Sequence, residues 1–304
     1  MRAVIETEKL TKTYGRRRGL VNLDLAVAEG EVFGYLGPNG AGKSTTIRVL
    51  LDLIRPTSGR ALLFGHDPRR HAVSLHRRLG YLAGDFVVNP RQRVGECLAF
   101  LADLRGGVPK ADVAELAERL ELDLTARITT LSKGNRQKVG LVQAFMHRPD
   151  LLILDEPTSG LDPLAQQTFL DLVREARAAG QTVFMSSHII SEVEAVADRV
   201  GIIRDGHLVA LDTVARLRDC NVHQFQVTFA GPIDEAALVA LPEVSDLAVD
   251  GPTAVFHLAG SPDGLIRILA GHRITALRAT EPDLEHLFLT YYQPDAASRE
   301  TTHA

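Results

Sequence analysis

Apolar residues follow two different patterns along this chain. Residues 21–27 alternate apolar and polar side chains, which is typical of a strand with one buried face, and residues 1–30 are predicted to form antiparallel β structure. The segments 32–36 and 151–154 are instead continuous apolar runs, as buried parallel strands are. Together these patterns predict an α/β fold in which an antiparallel β subdomain accompanies a parallel sheet.

Helical spacing begins soon after the first apolar run. Apolar residues recur at three- and four-residue intervals from Ile47, and Pro56 ends the predicted helix. Helical patterns then fill almost all of residues 94–147. We therefore expect a helical insert, at about residues 90–147, within the α/β domain.

The C-terminal third has a different pattern, which predicts a separate domain. Residues 221–292 give the order βαββαβ, which indicates a small α+β domain with a ferredoxin-like split fold. The favoured hypothesis is that this domain serves packing or dimerisation, and the alternative is that it senses a ligand. The predicted boundaries are thus 1–220, 221–292 and a polar tail at 293–304. A last helix in the second domain is predicted to place on one face Leu284, Leu287, Phe288 and Tyr291.

The segment between the first apolar run and the first helix reads GPNGAGKST and fits the phosphate-loop pattern G-x-x-x-x-G-K-[ST]. Glycines let the backbone wrap around phosphate oxygens, and the following helix directs its positive end at the same anion. Lys43 supplies a cation for the β- and γ-phosphates, and the Ser44 hydroxyl is placed to ligate Mg²⁺. The predicted nucleotide-contacting residues are Gly37, Pro38, Asn39, Gly40, Ala41, Gly42, Lys43, Ser44 and Thr45.

Further candidate residues lie at the ends of other predicted elements. Asp155 and Glu156 follow the second apolar run, where they are predicted to serve as a Mg²⁺ partner and a water-orienting base. His188 ends another strand, and a lone histidine there is usually a surface residue. Tyr14, taken alone, is either core filler or a base-stacking platform. Ser132 is a predicted helix N-cap.

Composition limits the function classes. The chain has 304 residues and a formal net charge of −4, which argues against a protein that coats nucleic acid. No apolar run approaches the roughly 20 residues that span a bilayer, and the first residues do not form a signal-peptide pattern. Cys97 and Cys220 stand alone, so reduced cytosolic thiols are expected.

Residues 1–220 resemble the ATP-binding subunit of an ABC transporter, because five of that family's motifs occur in the family's order. Residues 37–44 match the Walker A loop, 151–156 the Walker B strand, 131–135 the signature motif, 159–162 the D-loop, and His188 the switch histidine. The amino-acid sequence of the Walker A region is similar to that of the ABC-2 export branch, which includes bacterial drug and antibiotic self-resistance exporters.

The resemblance implies roles for four further positions. Tyr14 matches the aromatic residue that stacks on adenine, and Ser132 and Gly134 match signature residues that face the γ-phosphate. His188 would hold that phosphate and sense its loss. The expected cofactors are ATP and Mg²⁺.

The sequence departs from the family pattern in two places. In the signature, usually L-S-G-G-Q, Lys133 replaces a glycine and Asn135 replaces the glutamine. The glutamine that the family carries after the strand near Tyr81 is missing, and the segment there reads Leu-Ala-Gly-Asp at 82–85. As a hypothesis, Asp85 takes the place of this glutamine as the group beside the metal.

The resemblance also implies partners. Two copies would meet head to tail, with each ATP between one chain's Walker loop and the other's signature. A separate ABC-2 type permease would carry the substrate path, docked on the helical insert including residues 95–105, and would hold the chain at the cytoplasmic face of the membrane. A soluble ABC ATPase acting on nucleic acid or ribosomes is the main alternative. An importer subunit is another, and a GTPase is disfavoured because no Asn-Lys-x-Asp motif is present.

Overall fold

The structure, a computed structural model, describes residues 2–15, 17–218 and 222–280. The chain divides into two compact units, Met1–Asp212 and Thr213–Ala304. The helix predicted around residues 284–291 and the polar tail lie outside the described residues. The predicted domain boundary at residue 220 stays a prediction.

The described strands of the first unit are, in chain order, β1 Ala3–Tyr14, β2 Arg17–Ala28, β3 Val32–Leu36, β4 Ser58–Leu63, β5 Leu79–Leu82, β6 Leu151–Asp155, β7 Thr182–Ser187, β8 Arg199–Arg204 and β9 His207–Thr213. The described α-helices of that unit are α1 Lys43–Leu50, α2 Pro68–Arg77, α3 Val94–Leu104, α4 Lys110–Arg119, α5 Lys133–Phe145, α6 Pro163–Ala178 and α7 Ile190–Glu194. A further short helix, α8, covers Val214–Arg218 at the start of the second unit.

An antiparallel sheet forms the predicted β subdomain. β1 lies at its centre and pairs antiparallel with β2 on one side and β4 on the other. The alternating residues of β2 behave as predicted, because Leu23, Leu25 and Val27 are buried while the residues between them are exposed. Tyr14 is the last residue of β1.

The second sheet of this unit has the strand order β5-β6-β7-β3-β8-β9. Pairing is parallel from β5 through β8, so the carboxyl ends of these strands meet at one edge. β3 and β6 are buried along their whole length, as their continuous apolar runs predict. Loops that follow β3, β6 and β7 are therefore neighbours, and these loops carry the candidate site.

Side chains from both sheets build one core. Phe33 of β3 stacks on Phe184 of β7 with ring centroids 5.7 Å apart, and Ile47 of α1 packs in the same cluster. A β-carbon at Gly34 would lie 2.0 Å from a methyl carbon of Val193 on α7, so only glycine fits there. This contact fixes α7 against the strand that leads into the phosphate loop.

The helical insert is less continuous than predicted. Helices α3, α4 and α5 are present, with a 3₁₀ turn at Ile128–Thr130. Residues 120–127 are not helical, and the turn after α3 contains Gly106 and Gly107 at φ values of +91° and +95°. These left-handed positions end α3 because a helix requires negative φ.

The second unit has the predicted βαββαβ order. Its elements, in chain order, are β10 Val222–Phe229, α9 Glu235–Val239, β11 Val244–Asp250, β12 Thr253–Ala259, α10 Asp263–Ala270 and β13 Ile274–Thr280. The sheet order is β11-β12-β10-β13 with every neighbouring pair antiparallel, which is the split βαβ arrangement of a ferredoxin-like fold. The N-cap of α10 is Pro262.

Among the described helices, none combines the length and apolar composition that crossing a bilayer requires.

Candidate nucleotide-binding and hydrolysis site

The predicted phosphate loop joins β3 to α1. Gly40 and Gly42 adopt φ values of +83° and +117°, which side chains strongly disfavour. A β-carbon at Gly42 would also lie 2.6 Å from the carbonyl oxygen of Gly19, and one at Gly37 would lie 2.6 Å from that of Ile203. The loop is thus enclosed by neighbouring backbone, and the glycines at its defining positions are sterically required.

Lys43 begins α1 and turns back toward the loop. Its side chain is only 5% exposed, and its ammonium donates to the carbonyls of Gly37 and Pro38, the latter at 3.2 Å. The same nitrogen lies 3.0 Å from Glu156 Oε1. A buried cation is therefore held among loop carbonyls and a carboxylate, at the point where a phosphate group is expected.

Side-chain contacts of Thr46 anchor the first turn of α1. Thr46 Oγ1 donates to the Gly42 carbonyl at 3.1 Å and lies 3.2 Å from the Tyr35 hydroxyl. Complete burial raises the pKa of Tyr35 far above its usual range, so this phenol stays neutral. Ser44 lies in this anchored turn and is half-buried.

Asp155 is the last residue of β6 and is 4% exposed. Its carboxylate accepts a hydrogen bond of 2.6 Å from the Ser186 hydroxyl on the neighbouring strand β7. A β-carbon at Gly84 would lie 3.5 Å from Asp155 Oδ2, so the segment in place of the family glutamine approaches this carboxylate through its backbone. The side chain of Asp85 is exposed.

Glu156 occupies a strained left-handed conformation, with φ of +50°. Ser186 stabilises it, because the Glu156 amide donates to the Ser186 carbonyl at 3.2 Å and to its hydroxyl at 3.1 Å. The carboxylate then joins two predicted site residues: Oε1 lies against Lys43, and Oε2 lies 2.6 Å from His188 Nδ1. The structure thus brings all three predicted catalytic residues together.

The signature segment stands apart from this group. Ser132 is the N-cap of α5, as predicted, and its hydroxyl accepts from the Asn135 amide at 3.1 Å. Its side chain is exposed. Within the described residues, no hydrogen bond or ion pair joins Ser132 or Gly134 to residues 37–45.

Tyr14 lies beside the phosphate loop rather than in the core. Its ring is 46% exposed and rests on Gly19, where a β-carbon would come within 2.9 Å of the ring. The carbonyl of Gly19 in turn contacts Gly42 of the loop. Lys12 Nζ lies 5.2 Å from the ring centroid. An exposed aromatic face at this place favours base stacking over core packing.

Two residues of this site were missed from the sequence. Ser186 orients both Asp155 and Glu156, and Gln137 donates to the carbonyls of Glu156 and Pro157 at 3.1 Å each. No local signal marked Ser186, because Ser186 and Ser187 follow the apolar residues of β7 as ordinary polar residues at the end of a strand. Gln137 was hidden because glutamine is an ordinary helix residue.

Comparisons with known proteins give the family of this chain. Residues 20–159 match the family model described as "ABC transporter". The chain is 35% identical over 296 residues to the bacitracin transport ATP-binding protein BcrA of Enterococcus faecalis, covering 95% of this chain and 96% of that protein. It is 34% identical to the daunorubicin/doxorubicin resistance ATP-binding protein DrrA of Streptomyces peucetius, covering 99% of this chain and 96% of that protein.

Solved structures show the same fold. The ATP-binding subunit of an ABC transporter superposes with a TM-score of 0.65 at 30% identity, covering 71% of this chain and 92% of that chain. A bacterial ABC transporter cassette solved as a dimer gives a TM-score of 0.63 at 23% identity, covering 69% of this chain and 98% of that one. With full-length relatives and a matching P-loop site, this chain belongs to the ABC transporter family, as an ATP-binding subunit.

Proposed function

We propose that this protein hydrolyses ATP to power export of an antibiotic-like or lipid-like molecule through a separate ABC-2 type permease. The observation that carries the proposal is the Glu156 carboxylate, which joins Lys43 and His188 beside the phosphate loop. Full-length relatives named for bacitracin transport, linearmycin resistance and daunorubicin resistance support the export assignment. Nothing in these comparisons supports the nucleic-acid or ribosome alternative.

The roles of the site residues follow from their positions. Residues 37–45 would hold the phosphates of ATP through backbone amides, and Lys43 would offset charge on the β- and γ-phosphates. Glu156 would accept a proton from the attacking water, with His188 bound to its other oxygen and directed at the γ-phosphate. Tyr14 would stack on the adenine ring.

Ser44 and Asp155 fit a Mg²⁺ ion. A hydroxyl and a buried carboxylate are the oxygen ligands that this ion prefers, and Mg²⁺ usually takes one or two protein ligands together with phosphates and waters. The described residues contain no group of three or more histidine, cysteine or acidic side chains that would hold a metal unaided. When bound, the ion would neutralise charge on the phosphates; Ser186 would keep the Asp155 carboxylate oriented.

The active form would be a head-to-tail dimer. Ser132 and the N-terminal end of the 13-residue helix α5 are exposed and unconnected to their own phosphate loop in the described structure. A second copy related by a two-fold axis would present this helix end to the γ-phosphate.

The permease would dock on exposed apolar residues of α2 and α3. Val73, Phe100 and Leu104 are 75%, 55% and 67% exposed. The two helices are connected, because the Arg105 guanidinium donates to the His76 carbonyl. An apolar helix face from a permease loop would cover these side chains, and this contact would keep the protein at the cytoplasmic face of the membrane.

This docking can be tested by affinity purification from membranes. We expect the wild-type chain to capture a membrane protein and the Phe100→Asp, Leu104→Asp variant to lose it, with ATP binding unchanged. Val239→Asp, an equally exposed apolar position in the second unit, is the control. Capture of nucleic acid or ribosomes instead would favour the soluble alternative.

Replacing Ser132 should separate binding from turnover. In Ser132→Arg, ATP affinity of the isolated chain should stay within about threefold of wild type, while the dimer's ATPase rate should fall roughly 10- to 100-fold, because a γ-phosphate donor is lost in trans. Nucleotide fluorescence titration and phosphate release measure the two effects. Thr130→Ala, an exposed position just before α5, serves as the control. Loss of both properties in Ser132→Arg would contradict the trans role.

Removing the Tyr14 ring should weaken nucleotide binding. Base–aromatic stacking contributes about 1–3 kcal/mol, so Tyr14→Ala should raise the ATP dissociation constant roughly 5- to 150-fold, and Tyr14→Phe should keep it near wild type. Equal affinities for all three chains would assign Tyr14 to packing alone.

A further inference from the structure

The loop between β6 and α6 is fastened to the first turns of α5 by side chains. Gln137 donates from its single amide nitrogen to the carbonyls of Glu156 and Pro157, each at 3.1 Å. Lys133 Nζ donates to Ser159 Oγ at 3.0 Å. Both donors belong to the helix whose first turn carries the signature, and all three acceptors follow β6.

Gln137 is the buried member of this group. It is 3% exposed, and its amide nitrogen is committed to those two carbonyls. A buried polar group without a partner costs about 1–3 kcal/mol, so the glutamine and the loop hold each other in place. Gln137 acts on the loop backbone and is placed to orient it rather than to touch nucleotide.

The peptide units on both sides of Glu156 are therefore held. Its N–H donates to Ser186, and its carbonyl accepts from Gln137. Since Glu156 is in the left-handed region, which costs roughly 1 kcal/mol or more for a side-chain-bearing residue, it needs such contacts to persist. The direction of the catalytic carboxylate depends on this backbone.

We propose that Gln137 is a positioning residue for Glu156 and that it links this carboxylate to Ser132 on the same helix. The inference rests on the proposed dimer. There, one chain's Glu156 works in its own site and its Ser132 works in the other site, so Gln137 couples the two ATP sites through a single chain.

Lys133, the substituted residue of the signature, also connects α5 to the loop that follows β6. Lys133, which stands where the family has glycine, lays its methylene carbons over Gly160, where a β-carbon would come within 3.3 Å of them. A β-carbon at Gly134 would lie 2.4 Å from the Gly160 carbonyl. The signature and the D-loop are thus in direct backbone contact. Further along α5, Lys138 Nζ lies 3.3 Å from Asp162 Oδ2.

The test compares two glutamines of α5. Gln143 is 8% exposed and its amide donates to the Tyr81 carbonyl, away from Glu156. In Gln137→Met we expect kcat to fall about 10- to 100-fold, as a misplaced catalytic group does, with the KM for ATP within threefold. The Hill coefficient for ATP should fall from about 2 toward 1 as the sites uncouple. Gln143→Met should keep the wild-type kcat and the wild-type Hill coefficient. Equal behaviour of the two variants would overturn the proposal.

Two further measurements guard against a general structural defect. In a Glu156→Gln background, Gln137→Met should cause no additional loss of kcat, because it acts through that carboxylate; an additive loss would overturn the proposal. If Gln137→Met does not fold, Lys133→Met and Ser159→Ala, at exposed and half-buried positions, should each lower the Hill coefficient. An unchanged coefficient in both would count against coupling. A wild-type chain that neither hydrolyses ATP nor dimerises would instead refute the proposed function.

Discussion

Replacing Glu156 with glutamine is expected to lower the ATPase rate by roughly 100- to 10,000-fold while ATP remains bound. A general base contributes about that factor, and an amide cannot accept the water proton. The side chain keeps its length, so one of its polar atoms can still reach Lys43 and His188, and nucleotide affinity should change little. Phosphate release measures the rate, and retained nucleotide measures the binding.

The same variant should accumulate as an ATP-bound dimer. Without hydrolysis the γ-phosphate stays between the two chains, so size-exclusion chromatography in Mg-ATP should show the dimer. Glu175→Gln, which removes an exposed carboxylate paired with Arg119 on α4, is the charge-matched control and should stay active. Normal hydrolysis by Glu156→Gln would remove Glu156 from the role of base.

Replacing Lys43 with alanine is expected to weaken ATP binding by about 100-fold or more. The ammonium is the buried cation at the phosphate loop, and a charge-assisted hydrogen bond contributes about 1.5–3 kcal/mol, with more than one oxygen within its reach. Isothermal titration with ATP measures the loss.

The control for Lys43→Ala is Lys110→Ala, because Lys110 is an exposed residue at the start of α4. A thermal melt should accompany both titrations, since Lys43→Ala also removes the Glu156 ion pair inside the site. Unchanged affinity in a folded Lys43→Ala chain would contradict the phosphate-binding assignment.

Local pattern was enough to predict most of the fold. A continuous apolar run marked β3 and β6 because both faces of a central parallel strand are covered, and the glycine pattern marked the loop because backbone must approach a phosphate closely. The order βαββαβ likewise predicted the second unit, whose sheet order agrees with it.

The local sequence pattern did not predict contacts between segments that are distant in the chain. Ser186 and Gln137 are 30 and 19 residues from Glu156, yet both bind its backbone. Neither residue type is unusual in its own element, so the signal exists only once β6, β7 and α5 are assembled. The helical insert was predicted too continuous because Gly106 and Gly107 were given too little weight as helix breakers.

The contact between Gly34 and Val193 limits how this protein can diversify. A methyl group added at position 34 would overlap Val193 by more than an ångström, and it would push apart the strand that enters the phosphate loop and the helix that follows His188. A saturation library at this position, screened for ATPase activity, should therefore return glycine alone. Changes elsewhere in the chain must therefore leave this position as glycine.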